Sequence, residues 1–533
     1  MAMTLLPRHG KTHLANIPYG YYTATVSLIF IILLIGARKL IPVRQRNRSK
    51  WAKWALSSAR GGSPLLYLVV LFVALLVPFV HHYSLLGYVG LYLKRLGRLS
   101  YVLATLNLFL TLRPNFLLPG YVYLDLIPLH KWLSRSLCLL ALVHGVGFLV
   151  KWALDSQVSF VAKAFYNIPN LAGLVVGALM AFMVLLSVRP VRRFSYRSFY
   201  LTHIIGAWVF VFLTAYHARP GVFVPYTLLN AGLFVFYILS KTVPARGVEL
   251  VSKSTDDVNN CLTRIVLPRK AMPEHFAPGS HLRISPYRRV NPLYYMLPSH
   301  PYTVASMPED KDVELIVREH ASGFHLLTGL GYTIQNHYES VPRQCLQSAT
   351  RIALVCGGSG LSYALPIFRH FASEEKADQV KYLRLIWLVR DKYDVNVLGN
   401  IRSLASSVAQ FDIFVTRSVP PDDTVESGSK LSPAQQQSPI TDDLEFELES
   451  FGDQLDQNGA LITPEIPNLP SGLASSFHFG RKLDWMTDLA QFVEREDLGS
   501  TWLVACGPKG LNDAAKLYAQ QNEINLASET YAL

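Results

Sequence analysis

The sequence predicts a multi-pass α-helical membrane bundle followed by two soluble domains, a small antiparallel β-barrel and an α/β domain. Three observations carry this. Charge is segregated: residues 1–243 hold 24 Lys and Arg but only two acids, Asp125 and Asp155, whereas residues 244–533 hold 26 basic and 35 acidic residues. The first half contains uncharged runs long enough to cross a bilayer, which takes about 20 residues at 1.5 Å each. From about residue 244 the pattern changes to short alternating runs separated by Pro and Gly, and then to alternating strand and helix patterns. The composition agrees, with 50% hydrophobic and 16% charged residues, against roughly 25% charged in soluble proteins. The net charge of +13 taken alone suggests a nucleic-acid binder. Its confinement to loops between apolar runs assigns it to membrane topology instead, and no nucleic-acid partner is expected. A simple cytosolic enzyme, a secreted disulfide scaffold and a disordered tail protein are excluded. The five cysteines contain no CxxC pair, which implies neither a disulfide framework nor a zinc site.

Seven spans are expected. Runs 21–37, 64–80, 168–188 and 221–240 contain no Asp, Glu, Lys or Arg, and run 199–217 has only His203 and His217 as titratable groups besides tyrosines. Run 126–150 is long and apolar but includes His130, Lys131, Arg135 and His144, and run 99–112 is short, bounded by Arg98 and Arg113. The first 19 residues are mostly polar or turn-forming, so the first span reads as an uncleaved anchor rather than a signal peptide.

Basic loops set the orientation. Eight Lys and Arg without an acid lie between spans one and two, and Arg189, Arg192, Arg193 and Arg197 lie between spans five and six. Both loops fall on the side of the soluble half, which is therefore expected in the cytosol, with the N-terminus outside. In the loops and flanks beside the spans, Lys and Arg number fifteen on the inner side and eight on the outer. The chain's sequon, Asn47-Arg48-Ser49, then lies in the cytosolic loop, out of reach of glycosylation. Asn47 is expected to stay unmodified in a glycosylating host. A glycosidase-sensitive mass shift abolished by Asn47→Gln would invert the membrane half.

The histidines carry the next inference. His130 and His144 are 14 residues apart in span four, and His203 and His217 are 14 apart in span six. Fourteen residues turn a helix through about 1400°, within about 40° of four full turns, and rise about 21 Å. Each pair therefore lies on one helix face. Both spans start inside, so His130 is level with His203 near the cytosol and His144 with His217 near the outside. A lone intramembrane histidine is as well explained as a satisfied polar residue or part of a proton relay. A zinc or copper transport site lacks a third or fourth ligand near either pair. Two pairs with one spacing at matched depths point to two bis-histidine sites for two b-type haems stacked across the membrane.

In the soluble half, "LTRIVLP", "HLRISPY" and "VELIVRE" read as barrel strands. "RIALVCGGSGLSYALPIFRHF" reads strand, glycine loop, helix, as in a nucleotide-binding α/β domain. Gly357, Gly358 and Gly360 would let a pyrophosphate approach the backbone at a helix N-terminus, where unpaired N–H groups point. "TWLVACGPKGL" repeats the strand-then-turn pattern. Residues 419–446 are rich in Pro, Ser, Gln and Asp and read as a disordered insertion.

The paired histidines in "LHKWLSRSLCLLALVHG" and "LTHIIGAWVFVFLTAYHA" resemble the ferric reductase transmembrane domain shared by fungal ferric/cupric reductases and NADPH oxidases. That resemblance implies a six-helix haem core with an additional N-terminal span, followed by a ferredoxin-reductase-like module. Arg98, in "RLGRLSYVLATLNLFLTLRPN", matches an arginine that approaches the outer haem in the oxidase branch. "HPYTVAS" resembles the family's HPFT-type flavin motif and implies FAD contacts from His300, Pro301, Tyr302 and Thr303. Tyr302 would lie on or beside the isoalloxazine and Thr303 would offer a hydroxyl. Arg318 matches the residue that meets the FAD pyrophosphate, with Ala321–Phe324 as the adjoining turn. "GGSG" resembles the family's NADPH-site loop. Cys506, Gly507 and Pro508 match its Cys-Gly-Pro motif, beside the nicotinamide, with a buried small apolar residue as the alternative role for Cys506. Arg481 matches the position that meets the 2′-phosphate and favours NADPH over NADH. Tyr531 is the one C-terminal aromatic available to shield the flavin.

The expected organisation is an anchor and basic loop over 1–63, a haem-binding transmembrane domain over 64–243, an FAD-binding barrel over 244–347 and an NADPH-binding domain over 348–533. The order of parts reads as an electron path from NADPH through FAD to the His130/His203 haem and then the His144/His217 haem. No side chain is expected to act as an acid or base, because the cofactors carry the chemistry. The expected acceptor is an Fe(III) or Cu(II) chelate at the outer face. The alternatives are O₂, giving superoxide, and a non-catalytic haem-binding membrane protein or transporter. Contact with membrane lipid follows from the spans. The plasma membrane is the expected location, with the endoplasmic reticulum as the alternative.

Overall fold

The computed structural model describes residues 16–40, 51–52, 55, 64–80, 83–85, 87–113, 123–155, 157, 159–218, 220–253, 262–286, 299–318, 324–376, 378–398, 409–416 and 477–530. Asn47, Ala321–Gly323, the 419–446 insertion and Tyr531 lie outside the described residues. Two compact units divide the chain, the first built from its N-terminal helices and the second from the strands that follow Ala245.

In the first unit the helices are α1 (Ile17–Leu40), α2 (Pro64–Phe79), α3 (Val89–Leu110), α4 (Tyr123–Ala153), α5 (Ile168–Ser187), α6 (Arg189–Phe194), α7 (Tyr196–His217) and α8 (Pro220–Thr242). Five of them, α1, α4, α5, α7 and α8, contain stretches long and apolar enough to cross a membrane. The apolar stretch of α2, Leu66–Leu76, is shorter. Helix α3 spans 22 residues but carries Lys94, Arg95 and Arg98 in its first half. It is nevertheless the most enclosed helix of the unit. Its Arg95 is 5% exposed, donates to Asn16 Oδ1 (3.1 Å) and the Phe79 carbonyl, and lies over the rings of Tyr19, Tyr83 and Tyr92.

Local chemistry sets the helix ends. The Asn167 side chain caps α5 through the Asn170 N–H, with Pro169 in its first turn. Ser195 Oγ accepts from Ser198 N–H (3.4 Å) at the start of α7. These are the side chain and proline signals that satisfy free N–H groups at helix starts. Helix α3 packs along α4, and α5 along α7.

The second unit begins with β1 (Arg246–Glu249), β2 (Ser252–Lys253), β3 (Leu262–Pro268), β4 (His281–Pro286), β5 (His300–Thr303), β6 (Asp312–Arg318) and β7 (Gly331–Tyr338). They form two antiparallel sheets, ordered β1-β7-β4-β5 and β2-β3-β6, joined by a bridge between Val304 and Leu315. Both curl around one core that includes Ile265, Leu282, Ile284, Val313 and Leu315. After the short helix α9 (Arg343–Ser348) come β8 (Arg351–Gly357), α10 (Leu361–Phe371), β9 (Tyr382–Val389), β10 (Ala409–Val415), β11 (Phe477–Phe479), β12 (Thr501–Gly507), α11 (Lys509–Gln521) and β13 (Asn525–Thr530).

These six strands make one parallel sheet in the order β11-β10-β9-β8-β12-β13. The chain builds outward from β8 to β11 and then returns to the other side of β8. That reversal places a topological switch point between β8 and β12, where open parallel sheets have a crevice at their carboxyl ends. Three contacts fasten the curled sheets to this domain. Ser362 Oγ accepts from Ile316 N–H and donates to its carbonyl. Arg369 pairs with both oxygens of Asp310 (2.6 and 2.8 Å), and Asp394 Oδ1 accepts from Leu262 N–H.

Candidate functional site

Helices α4 and α7 bring the four membrane histidines together in two pairs. The rings of His130 and His203 have centroids 6.1 Å apart, with planes at 83°. Those of His144 and His217 are 6.0 Å apart at 76°. Among the described residues no group of three or more His, Cys, Asp or Glu converges, so each pair stands as a two-nitrogen donor set.

Neighbouring helices fix the ring orientations. His144 Nδ1 donates to the Leu93 carbonyl (2.7 Å), and His217 Nδ1 donates to the Pro169 carbonyl (2.7 Å). Each of these rings lies against a glycine. A Cβ at Gly97 would stand 2.7 Å from His144 Nδ1, and one at Gly173 would stand 2.5 Å from His217 Cε1. Small residues let helices approach to such distances. His130 Nδ1 meets Asn107 Oδ1 at 3.0 Å. With Nδ1–H occupied, Nε2 keeps its lone pair for a metal, the arrangement common to ligating histidines. His203 Nδ1 is buried and has no hydrogen-bond partner among the described residues.

In the second unit, His300–Thr303 form the edge strand β5, paired only to β4 (Leu282 with Tyr302, His281 with Thr303). An edge tolerates Pro301, which has no N–H to give. The His300 ring stacks on Phe324 at 4.3 Å with planes 7° apart, and Tyr302 Oη donates to the Phe324 carbonyl (3.5 Å). Arg318 ends β6 and is exposed. The antiparallel bridge at Val304 and Leu315 puts it on the same side of the bridge as Pro301.

At the switch point the two glycine turns touch. A Cβ on Gly357 would lie 3.3 Å from Pro508 Cδ, and one on Gly507 would lie 2.7 Å from Leu511 Cδ2 and 3.4 Å from the Gly357 nitrogen. Gly358 has φ +52°, a conformation that costs other residues about 1–2 kcal/mol, and Gly360 leads into α10. The buried Trp387 holds the loop by donating Nε1–H to the Gly358 carbonyl (2.9 Å). Asn512 Nδ2 donates to the carbonyls of Gly507 and Glu529 (both 3.0 Å). Cys506 is 1% exposed and packed in the sheet core, in register with Cys356 and Glu529. Burial raises the Cys356 thiol well above its usual range.

Arg481 follows β11, after Gly480 with φ +63°. Its guanidinium donates to Asp488 Oδ1 (2.5 Å) and lies 5.6 Å over the Phe414 ring. It therefore sits at the carboxyl edge of the sheet, the edge that also carries both glycine turns.

Sequence reasoning missed Asn107, Gly97, Gly173, Trp387 and Glu529. Only Glu529 had a signal, a lone acid near the end of the last strand. Its Oε2 is closed off from solvent without a hydrogen-bond partner. Burial raises its carboxyl to about 7, and a Ser340 hydrogen bond opposes the rise. Above about pH 4.5 the unfolded chain gives up a proton that the folded chain still holds. Stability is therefore lost as pH rises towards 7, and the loss is constant beyond it. Glu529→Gln is expected to stabilise the protein above pH 7, by no more than about 3 kcal/mol, and to have no effect near pH 4. Thermal melts across that range check this; equal melting shifts at both pH values would refute it.

Comparison with known proteins places these features in context. Residues 96–214 match the family described as Ferric reductase like transmembrane component. Residues 249–345 match an FAD-binding domain, and residues 349–520 match the Ferric reductase NAD binding domain. The chain is 43% identical to the "Probable metalloreductase AIM14" of Zygosaccharomyces rouxii, with all of both chains covered. It is 42% identical to the protein of that name from Kluyveromyces lactis (99% of each chain), and 37% identical to that of Saccharomyces cerevisiae strain S288c (100% and 99%). Among solved structures, a ferredoxin NADP+ reductase from Neisseria gonorrhoeae with bound FAD and NADP aligns with 54% of this chain and 98% of its own, at 13% identity and a TM-score of 0.35.

Proposed function

Because the chain belongs to the transmembrane ferric reductase family, carrying FAD- and NAD-binding domains, we propose that it passes electrons from cytosolic NADPH, through FAD and two bis-histidine b-type haems, to Fe(III) or Cu(II) chelates on the opposite face. The observation that carries this is the pair of imidazole pairs. Two imidazole nitrogens each ~2 Å from one metal put their ring centroids about 6 Å apart, and both pairs have that separation. The fit extends to tautomer, since three of the four rings spend Nδ1 on an acceptor. When bound, the flavin turns a hydride into single electrons and the haems relay them. The chain's own part is to hold these groups in order. His130, His144, His203 and His217 supply ligands; His300, Pro301, Tyr302, Thr303 and Arg318 line the flavin. Gly357, Gly358, Gly360, Cys506, Gly507 and Pro508 form the nicotinamide nucleotide crevice. The same reading keeps seven spans, the domain boundaries at 243/244 and 347/348, and a plasma-membrane location. A metal acceptor is supported by the name the relatives carry, probable metalloreductase.

In this reading Arg481 selects NADPH, exchanging Asp488 for the 2′-phosphate, which a guanidinium can grip in bidentate fashion. Arg481→Ala is expected to raise the KM for NADPH at least tenfold and to leave that for NADH nearly unchanged. Equal changes would assign the 2′-phosphate elsewhere. The function itself is tested by giving NADPH to the purified protein with Fe(III) chelate, Cu(II) chelate or O₂ separately. Faster metal reduction is expected. Turnover with O₂ alone would overturn the acceptor, and absence of NADPH oxidation with all three would overturn the enzyme.

A further inference from the structure

The membrane unit contains a repeated device that is complete in one copy and broken in the other. Leu93, Gly97 and Asn107 of α3 lie 76 positions before Pro169, Gly173 and Met183 of α5, and His130 and His144 lie 73 positions before His203 and His217. The outer halves of the two copies agree contact by contact. In each, a histidine Nδ1 donates to a carbonyl at 2.7 Å, and its ring lies on the glycine four residues further along the same helix.

The inner halves differ. Asn107 Oδ1 meets His130 Nδ1 at 3.0 Å, and Asn107 Nδ2 donates to Ser134 Oγ at 2.8 Å. Ser134 Oγ in turn donates its proton to the His130 carbonyl (2.8 Å). That last bond fixes every direction in the chain. With its proton committed, the serine oxygen can only accept from Asn107, so the amide nitrogen faces Ser134 and the amide oxygen faces the ring. An amide oxygen only accepts, so His130 must carry its proton on Nδ1 and present a bare Nε2. In the second copy Met183 stands where Asn107 does and Ala207 where Ser134 does, and His203 Nδ1 has no partner among the described residues.

We propose that Asn107 and Ser134 are positioning residues that lock the tautomer of His130 and make His130 and His203, the two residues that would hold the cytosolic-side haem, chemically unequal. The proposal rests on the two-haem reading. A hydrogen bond from Nδ1–H raises the basicity of the ligating nitrogen. It therefore favours the oxidised iron and lowers the reduction potential of that haem. His203, whose Nδ1 meets no acceptor among the described residues, is the weaker donor.

The test is redox potentiometry with low-temperature electron paramagnetic resonance on the full-length protein, after its haem content has been measured. Asn107→Leu is expected to raise the potential of one haem, so that its reduced-to-oxidised ratio at fixed ambient potential rises about tenfold (about 59 mV), and to leave the other unmoved. Ser134→Ala should move the same haem in the same direction by less, because the amide is then free to turn. Met183→Asn combined with Ala207→Ser installs the device on His203 and should lower that potential. Two haems with unmoved potentials and resonances in Asn107→Leu would overturn the proposal and leave the two-haem reading standing. If Asn107→Leu loses the haem, the Met183→Asn/Ala207→Ser variant decides, a lowered potential supporting the device and an unmoved one overturning it. Wild-type protein without haem would instead sink the underlying reading.

Discussion

Replacing His130 or His203 with Ala is expected to remove one haem, and replacing His144 or His217 the other, each leaving a haem-to-protein ratio near one and abolishing electron delivery to external acceptors. The argument is geometric. Each ring faces one other imidazole across about 6 Å, and no third donor converges on either pair among the described residues. Alanine deletes half of a two-nitrogen site, and no water in the hydrocarbon can replace the missing group. In the proposed path the two haems act in series, so loss of either member should lower outer-face reduction by at least 100-fold. NADPH oxidation with a soluble dye that takes electrons from the flavin should be spared. Pyridine haemochromogen assays and low-temperature spectra of the four single variants check the assignment. Retention of two haems in all four would show that the histidines pack but do not ligate.

How far these sites could be read from the sequence depends on the range of the interactions involved. The pairing of His130 with His203 and of His144 with His217 was legible because helix periodicity acts within 14 residues and the topology rule fixes direction. The glycine loop was legible because strand, turn and helix are contiguous. Helix α3 was only half legible. Its uncharged run begins at Leu99, yet the helix begins at Val89, because Arg95 is enclosed by Asn16, the Phe79 carbonyl and the rings of Tyr19 and Tyr83 from other segments. Hydropathy treats a lysine or arginine as a cost and has no knowledge of partners 12 to 79 residues away. Asn107 and Trp387 were invisible for the same reason. Each looks like an ordinary core residue of its own element, and its role exists only once a second element arrives. The stacking of His300 on Phe324 likewise joins the edge strand β5 to a segment that the sequence read separately.

The second large effect is expected at Gly507. The turns after β8 and β12 meet at the switch point so closely that a Cβ on Gly507 would stand 3.4 Å from the Gly357 nitrogen and 2.7 Å from Leu511 Cδ2. Leu511 is the end of a flexible side chain and can move aside, so alanine is tolerable. Valine is not, because its second methyl must press on the Gly357 backbone, which is pinned from beyond by Trp387 through the Gly358 carbonyl. Overpacking of this kind costs about 1–3 kcal/mol, too little to unfold a domain of this size but enough to part the two turns. A backbone crevice that must approach a pyrophosphate loses its use when its walls shift by about an ångström. Gly507→Val is therefore expected to lower kcat/KM for NADPH by at least 100-fold, with FAD and haem content unchanged and haem reduction by dithionite intact. Gly507→Ala should lose less than tenfold. Stopped-flow reduction of the flavin by NADPH, set beside cofactor content, makes the measurement. Unimpaired flavin reduction in Gly507→Val would mean that the nicotinamide nucleotide enters by another route than the crevice between β8 and β12.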